Sequence, residues 1–546
     1  MELFKIHHLT YSYPGQKQEA LKDISLTIRE GEFILLTGPS GGGKTTLARF
    51  LGGFIPEFYG GSIKGEVHFR NESMFERDHR KIRQSIGMVF QDPEKQIIMS
   101  EVERDLALGL ENLGIENSLM NRRVIETLHY LGLMHLRNRM TSELSSGEKQ
   151  KVAIGSILAM LPHILILDEP TSQLDPLAAK EIFEILRRLN REHGFTIILI
   201  EQRLEECLAL AGRVIMLSDG RIVADENPKE FAAKVFAEYE ELLPVIPRLF
   251  CRLKEKEIPL TVAEARPQIL KGSWKENIAQ RQKENSVSSS PLIEIKNLSF
   301  SYQQDNVPII ENLNCSFEEG RLVAILGENG AGKSTLLKLL AGLLQPSYGK
   351  ILFAGKDVSL LSIKERAQRI AYLSQNPSDY LFNETVEDEL LFTMKNLDMN
   401  FDENTITQML SELSIGHHRR HYPRDLSAGE RQRAALASIL VAQPRVLILD
   451  EPTRGLDGSL KRKLGELFKQ LQQQKKTAIL LVTQDVEFTA NYADQIILFS
   501  QGKIVDQGQP EQILDGNLFY STAINRMFRG VVNNVINLKH AEALLR

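Results

Sequence analysis

The sequence predicts a duplicated α/β architecture, two tandem units each built on a mostly parallel sheet. Three observations carry this. The stretch GPSGGGKTT, Gly38 to Thr46, returns as GENGAGKST, Gly327 to Thr335, each time behind a short apolar run, Phe33 to Thr37 and Leu322 to Leu326. The runs ILILDE, ending at Glu169, and VLILDE, ending at Glu451, are apolar strands closed by two acids, as a buried parallel strand delivering carboxylates at its C-terminal edge would be. Finally, the spacings repeat: Tyr13 precedes Gly38 by 25 residues as Tyr302 precedes Gly327, and Ser145 precedes Asp168 by 23 as Ser427 precedes Asp450. Glu169 and Gln202 are 33 apart, as are Glu451 and Gln484; only between the loop and Ser145 or Ser427 do the copies differ, by seven residues.

Each glycine-rich stretch has the form G-x-x-x-x-G-K-[ST], in which small residues let successive backbone N–H groups curl around the phosphates of a nucleotide. The first loop offers Gly38, Ser40, Gly41, Gly43, Lys44, Thr45 and Thr46, the second Gly327, Asn329, Gly330, Gly332, Lys333, Ser334 and Thr335. Lys44 and Lys333 reach the outer phosphates, the hydroxyls of Thr45 and Ser334 can ligate Mg²⁺, and the following helix points its positive end at the same anion. Asp168 and Asp450 are placed to hold Mg²⁺, while Glu169 and Glu451 are placed to polarise the attacking water. A nucleotide with Mg²⁺ is what this pattern calls for.

LSSGEKQ from Leu144 and LSAGERQ from Leu426 have the S-x-x-E spacing of a helix capping box, Ser145 with Glu148 and Ser427 with Glu430. A capped helix start with small residues such as Gly147 and Gly429 beside it is also an anion site.

A chain of 546 residues exceeds one hydrophobic core. The net charge of −5 argues against a general nucleic-acid binder, and Cys207, Cys251 and Cys315 are too scattered for a metal or redox spacing, so reduced thiols in a cytosolic protein are expected. No run of about 18 apolar residues occurs and the start lacks a signal-peptide core, so neither a membrane span nor secretion is expected. Prolines, mixed charge and the run SVSSS mark 246–290 as a linker between units 1–245 and 291–525. In the tail, 526–546, Phe528, Val531, Val532, Val535 and Leu538 have the spacing of a docking helix.

These motifs together resemble the ATP-binding cassette (ABC) ATPases over nearly the whole chain outside linker and tail. The resemblance implies ATP as the nucleotide and two P-loop nucleotide-binding domains, each adding an antiparallel and a helical subdomain to the core sheet. It also implies that the loop of one cassette faces the Ser-x-Gly signature of the other in an intramolecular cassette dimer. Lys44, Asp168 and Glu169 would then combine with Ser427 and Gly429, and Lys333, Asp450 and Glu451 with Ser145 and Gly147. Gln91 and Gln375 match the family's Q-loop, a metal-ligating position, Asp175 and Asp457 its D-loop, and Tyr13 and Tyr302 its adenine-stacking position. Where the family usually carries a switch histidine, this chain has Gln202 and Gln484. Glutamine can still orient water, so both sites are expected to hydrolyse ATP, with little dependence on pH near 6.5 because no switch imidazole titrates there.

Around the first Q-loop, VFQDPEKQIIMSEVERDLALGLENLG is similar to the energy-coupling factor transporters, which take up vitamins and metal ions, and YLSQNPSDYLFNETVEDELLF is similar too. The resemblance implies a peripheral ATPase on the cytoplasmic face of the cell membrane, working with transmembrane scaffold and substrate-binding subunits. Glu101, Glu103 and Asp105, and Glu387, Asp388 and Glu389, are expected to form grooves for arginines of the scaffold. The alternative is a soluble, ribosome-associated ATPase of the ABC-F type. That class would prefer a long, strongly basic helical linker, whereas 244–291 carries nine Lys or Arg against five Asp or Glu and is broken by prolines.

Overall fold

The computed structural model describes residues 1–16, 18–74, 84–172, 174–272, 291–302 and 308–545. It divides into two compact units, Met1–Thr261 and Val262–Arg546.

In the first unit a six-stranded sheet runs in the order Arg221–Glu226, Arg213–Ser218, Phe33–Thr37, Thr196–Ile200, Ile164–Asp168, Ile86–Val89, parallel except at the Arg221–Glu226 edge. The three central strands are buried at every position, so both faces must be covered. Alternation along the strands divides the core in two. Leu35, Leu165, Leu167, Ile197 and Leu199 face one core, with Leu106, Leu128 and Val152 of the helical region. Ile34, Leu36, Ile164, Ile166 and Ile198 face the other, with Leu47 and Phe50 of the helix after the phosphate loop and Phe4 and Val67 of a four-stranded antiparallel sheet.

The second unit repeats the plan. Its six strands run Ile370–Leu373, Val446–Asp450, Ala478–Val482, Leu322–Leu326, Gln495–Ser500, Lys503–Gly508, again antiparallel only at the last pair. Leu447, Leu449 and Leu481 pack toward helices, Ile448, Leu480 and Val482 toward the second antiparallel sheet. The expected α/β class with antiparallel and helical additions is what both units show.

The segment read as a linker is helical near both ends. Val245–Arg252 is a helix whose Cys251 Sγ lies 3.8 Å from Ala232 O of the first unit. Val262–Leu270 belongs to the second unit, where Arg266 donates to the carbonyls of Arg526 (3.1 Å) and Arg529 (2.7 Å). The SVSSS run lies outside the described residues. The tail is not one helix: Ala523–Phe528 and Leu538–Leu545 are separated by left-handed turns at Gly530 (φ 75°) and Asn534 (φ 63°), which break the helical path. Phe528, Val532 and Val535 are nonetheless buried, Val531 and Leu538 less so. The three cysteines are unbridged. Among the described residues no helix is long and apolar enough to cross a membrane.

Candidate nucleotide sites

Each phosphate loop leaves the C-terminal end of a central strand and enters a helix, Lys44–Leu51 or Lys333–Leu340, whose N-cap is a left-handed glycine, Gly43 or Gly332, with no side-chain cap. The first-turn N–H groups are therefore left to an anion rather than to a neighbouring side chain. Gly38 and Gly327 are required by close approach: a Cβ there would meet the carbonyl of Leu217 or Phe499 at 2.0 Å. Lys44 Nζ donates to Gly38 O and Pro39 O, both at 2.8 Å, and Lys333 Nζ to Gly327 O and Glu328 O, both at 2.7 Å. Both ammonium groups thus lie across the mouths of their own loops. Burial holds Lys333 below the ordinary lysine value, with Glu451 and Asp450 opposing.

At the neighbouring strand end Thr45 Oγ1 donates to Asp168 Oδ1 at 3.2 Å, and Ser334 bonds Asp450 in the same way. A hydroxyl and a carboxylate oxygen side by side suit a hard cation such as Mg²⁺. Burial, with Glu169 beside it, pushes the Asp168 carboxyl up to about 6. Burial also raises Asp450, against its bond from Ser334.

Glu169 and Glu451 share a feature that the sequence does not display. Both sit in the left-handed region, φ 48° and 53°, and both donate their N–H to the next strand, Glu169 to Ile200 O and Glu451 to Val482 O. A non-glycine residue held there costs about 1–3 kcal/mol and persists only where the surroundings enforce it.

The two sites then diverge. Gln91 Nε2 donates to Glu169 Oε2 at 2.9 Å, Gln202 Nε2 donates to Glu169 Oε1, and Ser40 Oγ reaches Gln202 Oε1 at 3.4 Å. The Q-loop and switch-position amides of the first unit clamp its glutamate. In the second unit Gln484 Nε2 turns to Asn329 Oδ1 at 2.9 Å, and Glu451 Oε2 accepts instead from the Gln484 N–H (3.3 Å) and Thr483 Oγ1 (3.4 Å). Gln375 is exposed and makes no bond to Glu451 among the described residues. Burial pushes Glu451 up to about 7. A buried carboxyl shifted in this way works against the expected insensitivity to pH near 6.5 at this site. Replacing histidine removes one titrating group, but the buried carboxylates titrate in the same range.

Tyr13 and Tyr302 also differ. Tyr13 is half-buried, its hydroxyl 3.1 Å from Thr46 Oγ1 and accepting from Arg49 Nη1 at 3.2 Å, with Arg49 also 4.6 Å from the Tyr59 ring centroid. Tyr302 is exposed, and among the described residues its ring meets Phe300 edge-on at 4.9 Å. Arg49 escaped the sequence reading; its signal is a cation in the last turn of an otherwise apolar helix face.

Both signature helices start in complete capping boxes. Ser145 Oγ donates to Glu148 Oε2 and Ser427 Oγ to Glu430 Oε2, each at 2.7 Å, with the reciprocal backbone bonds present. Gly147 lies where a Cβ would press on Ala178 at 3.2 Å, and Gly429 beside Gly455 O at 3.4 Å. Asp175 and Asp457 cap the helices that follow, accepting from Ala178 N and Leu460 N.

A second residue missed in the sequence is Glu201. It ends the apolar strand Thr196–Ile200, is buried, and accepts from Thr171 N (3.2 Å) and Oγ1 (2.6 Å). An acid closing a fully apolar run was the available signal; in the second unit the place belongs to Thr483, 3.2 Å from Thr453 Oγ1. Burial pushes Glu201 up to about 8. Its contribution to stability is complete below about 4.5 and is lost as pH rises through about 8. Glu201→Gln should therefore gain on the wild type between pH 5 and pH 9, by an amount on the order of a few kcal/mol. Thermal unfolding followed at both pH values checks this; a difference that does not change with pH would mean that Glu201 is not held protonated.

The acidic clusters after the Q-loops are used within the chain. Glu103 pairs with Arg137 at 2.5 Å and Glu387 with Arg419. Thr385 caps the helix by accepting from Asp388 N (3.1 Å) and donates its hydroxyl to Asp388 Oδ2 (2.6 Å), and Glu101 pairs with Arg104 at 3.0 Å. Asp105 is buried and accepts from Ile98 N (2.8 Å) and Met99 N (3.1 Å); Glu389 is buried and accepts from Asn383 N and Nδ2, both at 2.6 Å. Each of these carboxylates thus has a partner within its own unit: arginines for Glu101, Glu103 and Glu387, and backbone or amide N–H groups for Asp105 and Glu389.

A family model described as ABC transporter matches residues 21–172 and 310–454. A Bacillus cereus protein named "Putative ABC transporter ATP-binding protein" is 38% identical over 531 residues, 96% of this chain and 95% of its own. A Clostridium tetani protein of the same name is 39% identical over 446 residues, 82% of this chain and all of its own. Among solved structures, cbiO1 from Clostridium perfringens, part of the ABC transporter complex cbiONQ, is 34% identical at a TM-score of 0.40, covering 46% of this chain and 96% of its own.

Proposed function

The chain belongs to the ABC transporter family as a two-cassette ATPase, and from that premise we propose that it is the energy-coupling subunit of a membrane importer. It would bind ATP and Mg²⁺ at two composite sites completed by Ser427 with Gly429 and by Ser145 with Gly147, and drive uptake through separate membrane subunits. In this reading Lys44 and Lys333 offset the phosphate charge, and Glu169 and Glu451 take the proton of the attacking water or orient it. Gln91 and Gln202 hold the first of these carboxylates in aim. Thr45 and Asp168, with Ser334 and Asp450 in the second unit, would hold Mg²⁺, which when bound neutralises charge on the phosphates.

The observation that supports membrane coupling is a repeated presentation of one apolar side chain. Seven residues after Gln91 stands Ile98, and seven after Gln375 stands Phe382, exposed by 73% and 69%. Seven residues further on, the buried carboxylates of Asp105 and Glu389 grip the loops that carry them. What supports a shared role is the repetition: in both units an exposed apolar side chain stands at the same offset, on a loop held by a buried acid. It suits an apolar helix of a scaffold subunit docking beside the Q-loop, where ATP-driven movement would reach it. The relatives' shared description as transporter ATP-binding proteins agrees.

Ile98→Asp combined with Phe382→Asp should release the chain from the membrane fraction of its native cells and abolish uptake while leaving ATP binding intact. Recovery of the wild type with ribosomes, or unchanged membrane recovery of the variant, would overturn the proposal.

A further inference from the structure

We propose that His417, His418 and Glu430 form a binding site for a transition-metal dication of the zinc class, placed to act on the signature serine Ser427. One ligand atom from each of the three lies within 4.8 Å of the others. His417 and His418 belong to a one-turn helix, Gly416–His418, with ring centroids 4.0 Å apart, and His421 packs edge-on against His418 at 5.1 Å. His418 Nε2 stands 3.0 Å from Glu430 Oε1, about the separation of two ligands on one tetrahedral zinc ion with bonds of about 2.0–2.1 Å. His417 is exposed, so a change of rotamer closes the remaining gap.

Two further observations separate this cluster from an ordinary ion pair. Both ring nitrogens of His418 are shielded from solvent, and neither makes a directed hydrogen bond. Nε2 is near Glu430 in distance but not aligned with it, and an unsatisfied buried polar atom is costly unless something else uses it. In addition, the first unit solves the packing at this place without a polar ring. Nine residues before Ser145 stands the buried Leu136, where nine before Ser427 stands His418. A leucine is enough to hold the fold, so the imidazole at this position calls for another role.

Two imidazoles and one carboxylate favour zinc, nickel or copper over Mg²⁺, so millimolar Mg²⁺–ATP would not compete for the site. An open position would remain for water or for His421.

The consequence for Ser427 rests on the proposed function of that serine. Glu430 Oε2 accepts from Ser427 Oγ (2.7 Å) and Ser427 N (2.8 Å), while Oε1 faces the histidines. A dication on Oε1 withdraws charge from the carboxylate and loosens its hold on the serine hydroxyl. It also adds positive charge beside the N-terminus of Ala428–Leu440, an end that already favours anions. Both effects act in the same direction, toward tighter capture of a phosphate. Metal occupancy should then tighten ATP binding by about fivefold or more.

The test uses the full chain freed of metal by chelation and dialysis. Titration with Zn²⁺ alone, in the absence of nucleotide, should show one saturable equivalent by calorimetry, and Co²⁺ should give the visible absorption of a tetrahedral nitrogen–oxygen site. Both signals should weaken at least tenfold in His417→Ala and disappear in His417→Ala/His418→Ala, whose far-ultraviolet circular dichroism checks folding. The absence of saturable Zn²⁺ binding to the wild type, or binding that survives the double substitution, overturns the site. ATP affinity is then measured with and without Zn²⁺. If Zn²⁺ binds but ATP affinity does not move, the coupling to Ser427 is overturned while the site stands. A chain that binds Zn²⁺ but fails to bind ATP at all would instead overturn the nucleotide reading.

Discussion

Replacing Glu169 and Glu451 together by glutamine is expected to lower ATP turnover by about 10²–10⁴-fold, the range a positioned acid–base group contributes, while ATP binding is retained. Glutamine is nearly isosteric and can still accept one hydrogen bond, so the clamp around residue 169 by Gln91 and Gln202 is disturbed only in part. What disappears is the capacity to take a proton from water, which matters in the transition state and little in the ground state. The single substitutions should differ. Glu451 is pushed up to about 7 by burial, so turnover that remains in Glu169→Gln should fall as pH drops below about 7, where the second base becomes protonated. Steady-state hydrolysis from pH 5.5 to 8.5, with nucleotide binding followed separately, distinguishes the cases. An undiminished rate in the double variant would remove both glutamates from the mechanism.

Lys44→Ala and Lys333→Ala should each weaken nucleotide binding at their own site by roughly 10–100-fold, the loss of a hydrogen bond to a charged group of about 1.5–3 kcal/mol. The structure adds a second contribution. Each ammonium group bonds two carbonyls of its own loop, Gly38 and Pro39 or Gly327 and Glu328, and alanine leaves these to water. The empty loop should therefore also lose order. Equilibrium binding of a fluorescent ATP analogue reads the first effect, and amide hydrogen exchange at 38–46 and 327–335 reads the second. Lys→Met, which keeps the apolar stem, should repeat the binding loss. If binding in the alanine variants is unchanged, the lysines do not meet the phosphates.

The architecture was legible wherever short-range chemistry dictates it. Glycines at 38 and 327, apolar strands ending in acid pairs, and the Ser–Glu spacing at 145 and 427 each specify a local conformation, and the duplicated spacing supports each copy with the other. Features set by tertiary neighbours were not legible. Nothing in the letters at 169 and 451 marks a left-handed backbone, which arises because the next strand accepts the N–H. The acidic stretches 101–105 and 387–389 are expected from the sequence to face a partner, yet Asp105 and Glu389 are buried where they accept N–H groups of the preceding loops, while Glu101, at the helix N-cap, stays partly exposed. Gln202 and Gln484 are the same residue at the same spacing, but one reaches its glutamate and the other Asn329, because the loops preceding them differ at Ser40 and Asn329. The apolar spacing in the tail was read correctly as burial and incorrectly as a single helix, since residues 530 and 534 carry the breaks.

The pairing of Arg266 with the carbonyls of Arg526 and Arg529 has a consequence in time. These groups are 260 and 263 residues apart in the chain. At about 5–20 residues per second of synthesis, the helix Val262–Leu270 waits roughly 13–50 s after leaving the ribosome before its partners exist. The first unit can be complete by then, since its strands all precede residue 227. The second unit, by contrast, joins its opening helix to residues 526 and 529 and closes only after these have been made. During that interval the apolar side of Val262–Leu270, including Ala265 and Ile269, is uncovered and open to chaperones. A chain ending before residue 523 would never end the wait.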